Sequence, residues 1–187
     1  MTHKLAVVVA GLGGLQGNGE RLLHHVSLEA FDASLCVLAQ RPHFHQHEAV
    51  LREADAFLFI TGTYWDSWSS YLQRLLEEAT PSEATAMWLG KPAAVWVTAH
   101  SVGGKGVLSR LQGVLSTFGV LIPPMTGIVV TKASDLAARH APEASEDFFT
   151  YRDLEVSLHN LTQALAPKAA YRAWDVERGD PMQRWVP

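Results

Sequence analysis

Glycines are concentrated in the segment that follows the first apolar run of the chain. The run "AVVVA" leads into "GLGGLQGNGE", which carries Gly11, Gly13, Gly14, Gly17 and Gly19. A glycine-rich turn between a strand and a helix can hold a phosphate, because small residues let backbone N–H groups approach the anion. On this segment alone, three interpretations stay open: a dinucleotide phosphate, a mononucleotide phosphate, or a tight turn without a ligand.

The glycine spacing favours a mononucleotide over a dinucleotide. The segment has the form G-x-G-x-x-x-G from Gly11, and the shorter G-x-G-x-x-G fails because Gln16 occupies its last position. A Rossmann site also needs an acidic residue near the end of the second strand, to bind the ribose. Gln40 and Arg41 lie there instead, and this pair suits at best a 2′-phosphate.

A second loop combines aromatic and hydroxyl-bearing residues where the apolar run "AFLFIT" ends. The loop "TGTYWDSWSS" contains Thr63, Tyr64, Trp65, Asp66 and Ser67. Aromatic side chains at a strand end can flank a flat ring, and nearby backbone amides can bond its edge. The alternative is that Tyr64 and Trp65 belong to a core or a subunit interface.

A third loop, "VTAHSVGGKG", follows the apolar run that begins at Pro92. Its candidate residues are His100, Ser101, Gly103 and Gly104. The loop lacks the G-x-x-x-x-G-K-[ST] order of a P-loop, because Lys105 is followed by Gly106. Hydrolysis of a nucleoside triphosphate is therefore not expected.

The elements that must position these loops alternate between strands and helices. Apolar runs predict strands at 4–10, 34–39, 56–61 and 92–99, with "VLIPP" and "GIVVT" as two pieces of a fifth. Helical spacing predicts helices at 18–30, at 47–54, from Trp68 to Ala79 with Asp66 or Ser67 as the cap, from Leu108 to Gly119, and from Leu154 to Leu165.

Continuously apolar strands separated by helices are typical of a parallel sheet that is covered on both faces. The pattern predicts an α/β fold: a flavodoxin-like three-layer sandwich whose five-stranded parallel sheet has the order 2-1-3-4-5. Ligands of such sheets bind at the carboxyl ends of the strands, where all three loops lie. Residues 1–168 are predicted to form this domain, and residues 169–187 an arm that packs on it or on a neighbouring subunit.

Composition excludes several classes of function. The chain of 187 residues has a net charge of −4 and no Lys/Arg run longer than two, so no nucleic-acid partner is expected. No apolar run approaches the ~20 residues of a membrane span, and no signal peptide is recognised. We therefore expect a cytoplasmic protein without membrane insertion. The only cysteine, Cys36, lies in a predicted buried strand and is expected to be inert.

The segment "RPHFHQHE" places His43, His45 and His47 in alternation, beside Glu48. Alternate residues of an extended segment share a face, so a divalent metal is conceivable. A solvated loop or a subunit contact is the preferred interpretation, and no metal site is predicted.

Taken together, the three loops resemble those of the flavodoxin-like NAD(P)H-dependent FMN reductases, including the tryptophan-repressor-binding-protein-like quinone reductases. The second loop of that family commonly reads P-T-Y-W-G-S-x-S-S-x-L-K-x-F-L-D, and "GTYWDSWSSYLQRLLE" is similar from Thr63 onward. "LGKPAAVWV" resembles the family's x-G-K-P-A-A-V-F, and "TAHSVGG" resembles its S-x-G-S-x-G-G. The resemblance covers roughly residues 4–124.

The resemblance implies an FMN-dependent oxidoreductase that takes electrons from NAD(P)H and passes them to a small acceptor such as a quinone or free flavin. It implies a homodimer or homotetramer. It also implies a phosphate at the first loop, near Gly13, Gly14, Gly17, Asn18 and Gly19. The flavin ring would lie among Thr63, Tyr64, Trp65, Asp66 and Ser67, with His100, Ser101, Gly103 and Gly104 near its pyrimidine edge. No catalytic side chain is implied, although a protonated His100 would stabilise the anion of the reduced flavin.

The first loop departs most from the family's S-x-S-P-R-x-x-G-N-T. Leu12 takes a serine position, Gly14 the arginine and Gly19 the threonine, and only Asn18 is retained after Gly17. A phosphate would then depend on backbone amides and the helix dipole. Two alternatives therefore stay open: an electron carrier of the same fold, or a family member with weak or lost FMN binding that acts as a binding protein.

Overall fold

The computed structural model describes residues 2–100, 103–131 and 151–166. The predicted arm at 169–187 and the candidate site residue Ser101 lie outside the described residues. Among the described residues, no helix has the length and apolarity needed to cross a membrane.

Five parallel strands form one sheet in the order β2-β1-β3-β4-β5. The strands are β1 (His3–Val9), β2 (Phe31–Val37), β3 (Ala56–Gly62), β4 (Ala93–Ala99) and β5 (Gly127–Thr131). Every residue of β3 and β4 is buried, which explains why their sequences are continuously apolar. The predicted flavodoxin-like fold and strand order are confirmed.

Helices cover both faces of the sheet. They are α1 (Asn18–Leu23), α2 (Glu48–Glu53), α3 (Ser70–Ala79), α4 (Lys105–Thr117) and α5 (Tyr151–Gln163). Alternate strand residues face opposite layers. Phe57 and Phe59 of β3 pack in the layer that contains α2, α3 and α4, whereas Leu58 and Ile60 pack in the layer that contains α1 and α5.

Several element boundaries differ from the prediction by a few residues. The first helix ends at Leu23 rather than at residue 30, and the chain continues in turns to β2. The third helix begins at Ser70, because the side chain of Ser69 accepts a hydrogen bond from Leu72 N at 3.2 Å and caps it. The predicted caps at Asp66 and Ser67 are therefore wrong.

The predicted fifth strand has its two pieces separated by a turn. Leu121 forms an isolated parallel bridge with Pro92, and β5 proper begins only at Gly127. Pro123 and Pro124 have no backbone N–H to donate, so the sheet pairing stops there and resumes after the turn.

Candidate functional site

The three candidate loops meet at the carboxyl ends of β1, β3 and β4, which are neighbours in the sheet. The backbone N–H of Leu12 in the first loop donates to the hydroxyl of Tyr64 in the second loop, with an N–O distance of 2.9 Å. The N–H of Thr63 donates to the carbonyl of Thr98 at the end of β4, at 2.8 Å. Hydrogen bonds across strand ends thus join the first loop to the second, and the second to the third.

The first loop folds as one short 3₁₀ turn, Gly14–Gln16, followed directly by α1. Gly14 is buried against Ala39, and Gly13 and Gly17 pack so closely that a Cβ on Gly13 would lie 2.9 Å from the Cα of Gly17. The loop therefore has little room for side chains. Its conformation brings backbone, rather than side chains, to the carboxyl edge of the sheet.

The first turn of α1 supplies hydrogen-bond donors at this edge. Gly17 caps the helix without a side-chain bond, and among the described residues the N–H groups of Asn18 and Gly19 have no acceptor. A Cβ on Gly19 would lie 2.7 Å from Cγ2 of Ile60, so glycine allows α1 to approach β3 closely. Since α1 has only six residues, these donors act mainly as individual N–H groups and the predicted dipole contribution is small.

The second loop contains a tight two-residue turn. Tyr64 and Ser67 exchange both backbone hydrogen bonds, at 2.8 and 2.9 Å, and Trp65 and Asp66 between them have positive φ values of 47° and 59°. This is the geometry of a type I′ turn. It leaves Trp65, Asp66 and Ser67 exposed at the tip, so Trp65 is not part of the core.

Tyr64 connects the first two loops. Its ring lies across Gly62, where an added Cβ would come within 2.9 Å of two ring carbons and the hydroxyl oxygen. From there its hydroxyl reaches Leu12 and lies beside Gly11. The tyrosine therefore holds the first loop against the second loop.

Thr63 and Gly104 meet where the second and third loops come together. Gly104 has a φ of 86° and precedes α4, and a Cβ there would lie 2.8 Å from Val129 Cγ1 and 3.1 Å from Thr63 Oγ1. The Thr63 hydroxyl is buried and has no hydrogen-bond partner among the residues that the structure describes. A buried hydroxyl without a partner costs free energy, so its presence beside a candidate ligand site is informative.

Two other described residues of the third loop are exposed. His100 is exposed immediately after β4, and Gly103, with a φ of 107°, has no atom within 4 Å of the position of a Cβ. The backbone at Gly103 can therefore contact a ligand directly.

The structure adds one residue that the loop motifs do not contain. Arg110 lies on α4, and its guanidinium donates a hydrogen bond to the carbonyl of Asp66; its Nη1 lies 3.8 Å from Asp66 Oδ2. The sequence offers no signal for this pairing, because 44 residues separate the partners.

The histidine segment does not form an extended face. Phe44–Gln46 is a 3₁₀ turn, so the expected alternation is lost. His43 Nδ1 lies 2.8 Å from Glu78 Oε1, whereas His47 is buried with its Nε2 2.8 Å from the carbonyl of Arg41. No group of three metal-ligating side chains is present among the residues that the structure describes.

Cys36 lies in the core beside β1. Burial raises the pKa of its thiol to about 12, so little thiolate exists at neutral pH. This position agrees with the prediction that the cysteine is buried and unreactive.

Several solved structures share the fold at low sequence identity. RosB with a bound flavin-derived intermediate is 13% identical, with 96% of this chain and 93% of RosB covered and a TM-score of 0.69. An oxidoreductase from Corynebacterium diphtheriae is 19% identical, with 88% and 97% covered and a TM-score of 0.64. FerB of Paracoccus denitrificans, an NAD(P)H:acceptor oxidoreductase, is 20% identical, with 87% and 93% covered and a TM-score of 0.56. A comparison with the curated proteins gave no significant match.

A family model described as NADPH-dependent FMN reductase matches residues 2–135, which is well over half of the chain. This match includes all three candidate loops. At the level of the family, it confirms the resemblance and the predicted use of FMN with NAD(P)H as co-substrate. The chain belongs to the NADPH-dependent FMN reductase family and is a flavin-dependent NAD(P)H oxidoreductase.

Proposed function

We propose that this protein binds FMN across its three loops and passes electrons from NAD(P)H to a small acceptor such as a quinone or free flavin. The observation that carries the proposal is the convergence of the loops on three neighbouring strand ends, with backbone N–H donors at one end and an aromatic turn at the other. Family membership supplies the cofactor class.

The first loop fits a phosphate through its backbone. The N–H groups of Asn18 and Gly19 are donors suited to an anion, and the hydroxyl of Tyr64, which accepts from Leu12 N, still has its own proton to donate. Gly13, Gly14 and Gly17 would let the phosphate approach the main chain. Because no arginine or hydroxyl side chain of the loop contributes, we expect FMN binding weaker than in relatives that have them.

The second and third loops fit a flat ring. Trp65 is exposed and can stack, Ser67 and Asp66 lie beside it, and Gly103 leaves its backbone open. The buried hydroxyl of Thr63 lies where the second and third loops meet and, lacking a partner among the described residues, is available to a ligand. His100 and Ser101 would approach the pyrimidine edge.

When bound, FMN supplies the electron transfer from nicotinamide to acceptor. The chain would hold the phosphate, orient the ring and leave one ring face open for successive substrates. No side chain needs to act as a general acid or base. His100, when protonated, would lie where negative charge develops and would favour the reduced state.

The proposal is tested by adding FMN to the purified protein and following flavin fluorescence and absorbance, first alone and then under anaerobic conditions with NADPH or NADH. We expect binding, bleaching on addition of the nicotinamide, and return of the absorbance when a quinone is added. FMN that binds without bleaching would instead support an electron carrier. A protein that takes up no FMN would support a binding protein that has lost the cofactor.

The proposal also includes the oligomeric state of the protein and its location in the cell. A homodimer or homotetramer would cover apolar residues exposed in the first loop, Leu12 and Leu15. Light scattering with size-exclusion chromatography would give the mass of the particle. Use of NAD(P)H supports a cytoplasmic location, which fractionation would test.

A further inference from the structure

We propose that Arg110 is a positioning residue that fixes the turn at Trp65 and Asp66 and neutralises the Asp66 carboxylate beside the ring site. The inference rests on the proposed function where it concerns the flavin. The part of the inference that concerns the conformation of the turn depends only on contacts within the chain.

The turn needs an external restraint. Trp65 and Asp66 both have left-handed backbone conformations, which are unfavourable for residues other than glycine. Only the two hydrogen bonds between Tyr64 and Ser67 close the turn from within. Neither residue is a glycine, which would adopt such a conformation freely.

Arg110 supplies that restraint from α4. Its guanidinium donates to the carbonyl of Asp66, and Nη1 lies 3.8 Å from the carboxylate of the same residue. Gly106 lies one helical turn earlier on the same face, and a Cβ there would be 3.5 Å from Arg110 Nη1 and 3.8 Å from Asp66 Oδ1. Gly106 therefore lies within van der Waals distance of both partners and does not obstruct their approach.

The same contact balances charge at the tip of the second loop. Asp66 places a negative charge next to a ring that must accept electrons, and an unpaired carboxylate there would disfavour the reduced flavin. The positive charge of Arg110 offsets it. The pair is exposed, with side-chain accessibilities of 52% and 78%, so the electrostatic part of the effect should weaken as salt increases.

Amide hydrogen exchange of the flavin-free protein tests the restraint. In Arg110→Gln, we expect exchange at Tyr64 and Ser67 to accelerate about tenfold, as expected from loss of one charge-assisted hydrogen bond. Arg110→Lys should retain part of the protection. Arg74→Gln, the same change at an exposed arginine of α3, serves as the control and should leave the turn unchanged. Equal exchange in Arg110→Gln and the wild type would overturn the inference, whether or not the protein binds FMN.

The midpoint potential of the FMN-loaded protein tests the charge balance. Arg110→Gln should lower the potential, by about 30 mV for each tenfold loss of affinity for reduced relative to oxidised FMN. Asp66→Asn in the same chain should restore it, because no carboxylate then remains to be neutralised. An unchanged potential in Arg110→Gln would overturn the electrostatic role. Failure to load FMN at all would contradict the proposed function, while the exchange experiment still decides the restraint.

Discussion

At the scale of single residues, Gly104 is the position where a methyl group should do most harm to the site. A Cβ there would contact Val129 and Thr63 at 2.8 and 3.1 Å, on a backbone whose φ is 86°. We expect Gly104→Ala to displace the third loop and weaken FMN binding at least tenfold. Fluorescence titration with FMN measures the effect.

The same helix offers a matched control for this substitution. Gly113 lies in the interior of α4, and a Cβ there would meet nothing within 4 Å. Gly113→Ala should leave FMN affinity unchanged and raise the free energy of unfolding by up to about 1 kcal/mol, because alanine favours a helix over glycine. Equal FMN affinities for the two variants would show that Gly104 is not part of the site.

His100 gives a second prediction at this scale. It is exposed at the end of β4. The family motif that this loop resembles has glycine at the same position. If its protonated form stabilises reduced FMN, His100→Gly should lower the midpoint potential and change how the potential depends on pH. Spectroelectrochemical titration at several pH values measures both quantities. A potential and a pH dependence equal to those of the wild type would rule out this role.

At the scale of elements, the start of α3 is determined by one hydroxyl. Ser69 accepts from Leu72 N, and its own N–H donates to Thr61 Oγ1 at 3.2 Å. We expect Ser69→Ala to lower the free energy of unfolding by about 1 kcal/mol, as for other N-cap serines. Urea unfolding measures the change. Ser70→Ala, one residue later and exposed, should have little effect, and a similar loss in both variants would argue against the cap.

The contact between α3 and the turn before α2 should depend on pH. Hydrogen bonds from His43 and from the backbone of Phe44 lower the pKa of Glu78 below its ordinary value. A lowered pKa in the folded state stabilises the fold at pH values above the unfolded pKa, about 4.3, and the contribution is lost as the pH falls through the folded value. Glu78→Gln should therefore be less stable than the wild type at pH 7, and the difference should shrink toward pH 3.

Urea unfolding of both proteins at the two pH values measures this dependence. Glu29→Gln, at an exposed glutamate before β2, is the control and should show no such trend. A difference between Glu78→Gln and the wild type that is constant with pH would contradict the carboxylate contribution.

Sequence patterns located the elements well, but they located the element ends less well. Apolar runs identify β3 and β4 because both faces of those strands are buried. The first helix was predicted too long, because apolar spacing continues through Val26 although the chain leaves the helix after Leu23. The cap of α3 was placed two or three residues too early, because Asp66, Ser67 and Ser69 are all suitable capping residues by type.

At the scale of the whole molecule, the strand order could be predicted because the fold requires short right-handed connections between parallel strands. That order brings the three loops to neighbouring strand ends, so their approximate meeting place also followed from sequence. The bond between Leu12 and Tyr64 and the pairing of Arg110 with Asp66 could not be predicted. Both join residues far apart in sequence, and their formation depends on the rotation of a helix and the conformation of a turn.

Burial of the carboxyl end of β2 should protect the only cysteine. Cys36 is fully buried, and burial raises the pKa of its thiol to about 12. We expect the native protein to react with a thiol reagent at pH 8 far more slowly than the protein in urea, where the thiol has an ordinary pKa. If the reagent is a disulfide that releases a coloured thiolate, the increase in absorbance measures the rate of reaction of the native and of the urea-unfolded protein. Equal rates in the native and the urea-unfolded protein would contradict protection of Cys36 by burial.

The full exposure of Trp65 has an optical consequence. Trp88 and Trp96 are completely buried, whereas Trp65 projects into solvent at the tip of the second loop. Its indole is therefore open to collision with iodide or acrylamide, and a ring stacked on it would shield it from both quenchers. Comparison with Trp65→Phe isolates this contribution from that of the other tryptophans. The fluorescence of Trp65 therefore reports whether a ring is stacked on the turn.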